Sequence, residues 1–399
     1  MKYLLVGGLF ITIILGLFLN KYRKKSPETP FDPQIDVMNI KEKCKGKDIY
    51  RQKDICYKKA LRNIAKEYDA LSATKVFFLL QQSNIIDATY DEHQYAHEIG
   101  RATAEYKGIN VKSFLSCPSD YNYGCQHGFF EYSLSQSNSY KEAATRICEN
   151  LREKYPTKMY FYCYHGVGHG VMMAKAYKLN ESLDVCNELP NKQAQDGCWQ
   201  GVFMEGTNQV MSSNVLVAGF DNLDPLSPCD RVESKYRWEC YINHSGYLMK
   251  VTSNDIRKSA EMCLTASDEG KVPCIQSLGL MASNPIWQRG ILNVDTEKDK
   301  KKNVEVTWQL CREMPNQARK DCIIGAVGNI LNFDQTDLTR ASSFCKIVDV
   351  VYQNECYKEI GRSVEVQVST NGQAESLCDK LSEGNPREQC KLGIKPMDL

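Results

Sequence analysis

The sequence predicts an all-α array of helical hairpins, and three observations carry the prediction. Its 18 cysteines fall into nine consecutive pairs with none left over: Cys44/Cys56, Cys117/Cys125, Cys148/Cys163, Cys186/Cys198, Cys229/Cys240, Cys263/Cys274, Cys311/Cys322, Cys345/Cys356 and Cys378/Cys390. From Cys117 onward the first members recur every 31 to 48 residues, the period of a helical-hairpin repeat. The flanks read as two kinds of helix. Amphipathic stretches such as YKEAATRIC and IRKSAEMC end on the first cysteine (helix A), and apolar, glycine-bearing stretches such as CYHGVGHGVM and CIIGAVGNI open on the second (helix B).

A disulfide from the end of A to the start of B would staple each hairpin across its own loop, contributing roughly 3 kcal/mol in the chain-entropy model. Spacing leaves the connectivity open, because bridges between neighbouring repeats satisfy it too. Zinc is the rival use of paired cysteines, but CxxC spacing occurs nowhere in the chain. A glycine often stands at the third position after the second cysteine, as at Gly128, Gly166 and Gly201. There it lets two backbones approach closely, which accounts for a residue that otherwise weakens helices. The 73 residues from Cys44 to Cys117 cover about two periods and so contain a hairpin without cysteines, the tenth. Halving the distance from Cys56 to Cys125 puts its missing second cysteine near Asp91.

Tandem αα hairpins with their own cysteine pairs resemble cysteine-rich Sel1-like and TPR-like repeat proteins. CPSDYNYGCQHGFFEY comes nearest to the short cysteine spacing of that family. The resemblance covers most of residues 44–393 and implies αα-solenoid packing. The other pairs are wider than the family's, and its pattern lacks the histidine-bearing helices, so no functional residue is carried over.

Ahead of the array, Tyr3 to Leu19 is an uncharged apolar run of 17 residues, which reads as a transmembrane signal anchor over 1–19. A proline-rich polar tether, 20–43, follows. The repeats divide into 44–215, which carries the histidines, and 216–399, which does not carry ligand pairs. Lys21, Arg23, Lys24 and Lys25 after the apolar run favour a cytoplasmic body. The paired cysteines favour the opposite, extracytoplasmic side, and they outweigh the flanking charge because long domains translocate largely regardless of it. Lys and Arg number 50 against 49 acids, so no charge field recommends nucleic acid as a partner. DTEKDKKKN at 295–303 reads as a solvated loop.

Five of the six histidines lie between 93 and 169. Counted from the second cysteine, His127 and His165 are at position +2, with Glu131 and His169 at +6. With Asp91 as origin, His93 and His97 take the same two slots. Residues four apart share a helix face, and equivalent helices stack in a solenoid, so the slots form a ribbon of three pairs. The candidate ligands are therefore His93, His97, His127, Glu131, His165 and His169. Such a set suits a transition metal, zinc first, with copper or iron as alternatives and Met172, Met173 and Met204 nearby. Glu131, or Glu98 beside His97, is the candidate general base if the protein is a metal-dependent hydrolase or oxidoreductase. No HExxH, GxSxG, P-loop or dinucleotide fingerprint is present, and catalysis is left open. His244, off the ribbon, reads as structural. The alternative function is a scaffold whose C-terminal repeats bind a protein or peptide and whose histidines are structural.

Overall fold

Each cysteine bonds its neighbour in the chain, so the nine disulfides join the nine pairs expected from spacing. Their Cα atoms lie 5.3–5.9 Å apart, and every bridge closes one hairpin on itself. No cysteine is free. The computed structural model describes residues 31–47, 50–86, 92–118, 120–121, 123–152, 157–213, 215–285, 287–288 and 296–394.

The first five hairpins pair α1 (Pro33–Cys44) with α2 (Tyr50–Glu67), α3 (Ala70–Gln82) with α4 (Glu92–Lys107), α5 (Val111–Leu115) with α6 (Gly124–Ser135), α7 (Tyr140–Cys148) with α8 (Thr157–Ala174), and α9 (Leu179–Asn187) with α10 (Lys192–Ser213). In the sixth, an irregular stretch over 215–233 presents Cys229 in place of helix A, and the second arm is split into α11 (Ser234–Tyr241) and α12 (Ser245–Val251). Four regular hairpins complete the array: α13 (Ile256–Thr265) with α14 (Asp268–Ser283), α15 (Glu297–Glu313) with α16 (Asn316–Asp334), α17 (Thr339–Ile347) with α18 (Val350–Glu365), and α19 (Asn371–Cys378) with α20 (Asn385–Gly393).

The expected fold class needs one correction. The array is all-α, with no strand among the described residues, but a transmembrane helix does not belong in its description. Among the described residues no helix is long and apolar enough to cross a membrane, because even the longest, α10, carries Lys192, Asp196 and Glu205. The anchor expected over 1–19 lies outside the described residues. Two local expectations also change. Pro33 and Asp32 start α1 inside the stretch read as a tether, proline at the first turn and the aspartate capping Gln34 N–H. Glu297 to Asn303, read as loop, open α15, where Thr296 caps the helix and Lys300 pairs with Glu297 one turn away.

The two helix kinds play different parts. Seven of the nine A-helices start on side-chain caps, at Asp32, Asp69, Asn110, Ser139, Asp255, Thr296 and Thr370. B-helices pack on one another in sequence, α2–α4–α6–α8–α10, through α11 and α12, to α14–α16–α18–α20. They form a buried inner layer, in which α6 hides every residue from Gly124 to Glu131.

Glycine sets the spacing of that layer. A Cβ on Gly100 would lie 1.8 Å from the Cys125 carbonyl oxygen, and one on Gly128 would lie 1.9 Å from that of His97, so α4 and α6 touch backbone to backbone. The same reciprocal contact joins α8 to α10 (Gly168, Gly201), α14 to α16 (Gly279, Gly325) and α18 to α20 (Gly361, Gly393). In the last three crossings the first glycine follows a cysteine by five residues. By that rule the hairpin without cysteines has Tyr95 at the missing position, one turn later than Asp91. Tyr95 stacks on Phe77 of α3 with ring centroids 5.0 Å apart, so an aromatic pair stands where the other hairpins carry a disulfide.

The array also meets itself. Lys158 of α8 donates to Gln367 Oε1 (2.9 Å), and Tyr162 donates to Asn332 Oδ1 (3.2 Å), across separations of 209 and 170 residues.

Candidate metal centre

The glycine crossings draw α4, α6, α8 and α10 close enough for five imidazoles to meet. His93 and His97 come from α4, His127 from α6, and His165 and His169 from α8. Four are buried outright: His97, His127, His165 and His169 are 0–2% exposed. His127 lies in the middle, its ring centroid 5.3 and 5.4 Å from those of His93 and His97, and 5.1 and 4.4 Å from those of His165 and His169. Two triads have ligand nitrogens within 4.8 Å of one another, His93/His97/His127 and His127/His165/His169, and either can hold a metal ion.

Within each HxxxH pair the Nε2 atoms face each other, 2.9 Å apart for His93 and His97 and 3.1 Å apart for His165 and His169. Two nitrogens on one ion at a metal–nitrogen distance of about 2.0–2.1 Å are separated by about 2.9–3.4 Å at right-angled to tetrahedral geometry. The first pair's tautomers follow from its partners. His93 Nδ1–H donates to the Tyr121 carbonyl (2.7 Å), and His97 Nδ1–H donates to Glu131 Oε1 (2.5 Å), both acceptors only. Each Nε2 of a neutral ring therefore presents a lone pair to the other, an arrangement that a shared cation makes favourable. Neither nitrogen of His127 has a hydrogen-bond partner, although the ring is fully buried.

Carboxylates stand behind the rings rather than among the inner donors. Glu131 accepts from His97 and pairs with Arg101, while Glu205 of α10 accepts from His169 Nδ1–H (2.8 Å) and from the Tyr177 hydroxyl (3.0 Å). Each orients a histidine so that Nε2 faces inward, the outer-shell device of metal-binding histidines. Glu98 is paired with Arg62 and Arg101, and Arg62 also meets Glu105, so an ion-pair chain runs from His97 outward.

Burial dominates the electrostatics. It holds His127 and His165 well below the ordinary histidine range, helped by their neighbouring rings, although Gln200 supports the charged form of His165. His169 is lowered to about 3 by burial and by His97, against the pull of Glu131. Burial works to raise Glu131 as well, but His97 and Arg101 overcome it and bring the carboxyl down to about 2. Glu205 is raised to about 7 by burial and by Glu131, which outweigh the weaker pull of His97, Tyr177 and Arg101. The three histidines are thus held in the neutral form that ligates metals.

Of the six expected ligands, the structure gathers the five histidines into one cluster and places Glu131 on the outer face of His97. The four-residue spacing from His127 to Glu131 suggested a ligand pair on one helix, whereas the carboxylate serves a ring on the neighbouring helix. Glu205 repeats that role and was missed because it stands one residue beyond the +6 slot. Repeat-to-repeat spacing carries the signal: Glu131 follows His97 by 34 residues and Glu205 follows His169 by 36. His244 binds no other histidine. Its Nε2–H donates to the Pro225 carbonyl (2.6 Å) and pins the irregular stretch of the sixth hairpin.

Comparison with known protein families, curated proteins and solved structures finds no match to this chain. The likeness to Sel1-like and TPR-like repeats therefore rests on architecture, a cysteine-rich helical repeat.

Proposed function

We propose that this protein binds a transition metal in the histidine cluster and works in an oxidising, extracytoplasmic compartment. The observation that carries the reading is the 2.9 Å approach of the His93 and His97 Nε2 atoms, with the partnerless ring of His127 beside them. An imidazole-only inner set suits zinc first, with copper, nickel or iron as alternatives. Nine disulfides and no free thiol support the compartment.

A holding centre fits better than a hydrolytic one. A general base must be free to take a proton, but Glu131 is bound to His97 and Arg101, and Glu98 to Arg62 and Arg101. The cluster is also buried, which suits a retained ion more than one that exchanges water with a substrate. We assign the C-terminal repeats a supporting role, in which the ends of α16 and α18 brace α8 through Asn332 and Gln367.

Elemental analysis of the purified protein tests this, alongside a His93→Ala/His97→Ala variant. The expected result is at least one equivalent of metal per chain, lost or reduced in the variant. A chain that carries no metal and takes up none after incubation with zinc, copper or iron salts would overturn the proposal.

A further inference from the structure

We infer that the cluster is a two-ion centre in which His127 ligates one ion through each of its nitrogens; this rests on the metal-binding reading above. There are two foci rather than one. Each HxxxH pair has its own Nε2–Nε2 approach, 2.9 Å on α4 and 3.1 Å on α8, and each has its own outer carboxylate, Glu131 or Glu205. A pair supplies two donors to its ion, fewer than the three or four protein ligands that zinc sites have. His127 is the only histidine common to both triads, and both its nitrogens are buried without a hydrogen-bond partner.

Charge supports the second ion independently. Glu131 already has Arg101 as a counterion. Glu205 is 8% exposed and is hydrogen-bonded by His169 Nδ1–H and the Tyr177 hydroxyl, neither of them a cation. A cation on the His165/His169 pair would supply the missing positive charge next to this buried carboxylate.

The two positions are not equally prepared. His93, His97 and His127 meet edge to face, at interplanar angles of 67–78°, as rings do that radiate from one point. His127 instead lies nearly parallel to His169, at 17°, so the second position needs a turn of a ring about its Cβ–Cγ bond. The first ion therefore enters between α4 and α6, and the second follows with weaker affinity. When both nitrogens of His127 are coordinated the ring is an imidazolate, and its N–H proton leaves to solvent as the second ion binds.

The test is titration of the metal-stripped, disulfide-intact protein with copper(II) alone, followed by electron paramagnetic resonance. The expected result is two equivalents taken up in separate steps, with most of the two-spin signal lost at liquid-helium temperature through coupling across the shared ring. His169→Ala should remove the second step and restore a full one-spin signal. His127→Gln, checked for folding by its thermal transition, should abolish the coupling. One equivalent in the unmutated protein would overturn the shared centre while leaving the metal-binding reading intact. Two equivalents with the full two-spin signal would overturn the bridge; no copper uptake would overturn the two-ion centre, and would overturn the metal-binding reading as well if zinc and iron were also refused.

Discussion

The crossing of α8 on α10 and the crossing of α14 on α16 are built alike. In each, a glycine five residues after the disulfide cysteine lies against the partner's cysteine carbonyl, and a glycine three residues after that cysteine returns the contact. The slots two and six residues after the first cysteine hold His165 and His169 in one crossing, and Gln276 and Leu280 in the other. In α18 they hold Lys358 and Arg362, which pair with Glu355 and Glu359 of their own helix. The backbone contact thus forms with histidine, with neutral side chains and with surface cations. Histidine is not what holds these helices together, and this weakens the reading of the cluster as mere packing.

Breaking the shared contact in each half should give the largest effects. Gly128→Ala and Gly325→Ala each force a Cβ to within about 2 Å of a backbone oxygen. Each should cost about 3 kcal/mol or more, read as a drop in denaturant midpoint. Only the Gly128 variant should also lose metal; equal loss in both would mean that the two halves are not separable. Next in size is the outer carboxylate. Glu131→Gln should weaken metal binding by about 10–100-fold, the usual cost of an outer-shell loss, whereas Glu359→Gln at the C-terminal crossing should leave it unchanged. Competition with a chelator of known affinity measures both, and an unchanged Glu131→Gln variant would remove the carboxylate from the centre.

Acid should separate the halves without any substitution. His127, His165 and His169 are held below the usual histidine value when folded, so below about pH 6.5 the unfolded chain takes up protons that the native state refuses. Stability is then lost as pH falls from there toward the folded values, by up to about 1.4 kcal/mol per unit for each ring. Hydrogen exchange on the metal-free protein should show α4 to α10 loosening between pH 6.5 and 5 before α14 to α20. Uniform protection along the chain would count against buried neutral histidines.

The hairpins were legible because a disulfide partner lies 8 to 15 residues away, within the range that spacing reports. Register was harder. Nothing in the sequence marks Tyr95 as the stand-in for a cysteine, since its partner Phe77 is known only once α3 packs on α4. His97, His127 and His165 were legible because each stands two residues past its hairpin's cysteine position; His93, two residues before Tyr95, was grouped with them through a register one helical turn out. The role of Glu131 was not, because spacing along a helix says which residues share a face and not which neighbouring ring a side chain reaches. Tyr121, which supports His93 through its backbone carbonyl, leaves no signal in side-chain pattern at all.

The pairing of every cysteine with the next one has a consequence for biogenesis. A chain entering an oxidising space N-terminus first exposes Cys44 and then its partner Cys56 before Cys117 arrives, and the same holds for each later pair. At every stage of emergence, the native partner of a waiting thiol is the next to appear. Order of arrival alone therefore favours the correct bridge nine times in succession, and a chain with 18 thiols can oxidise along its length without having to search among distant partners.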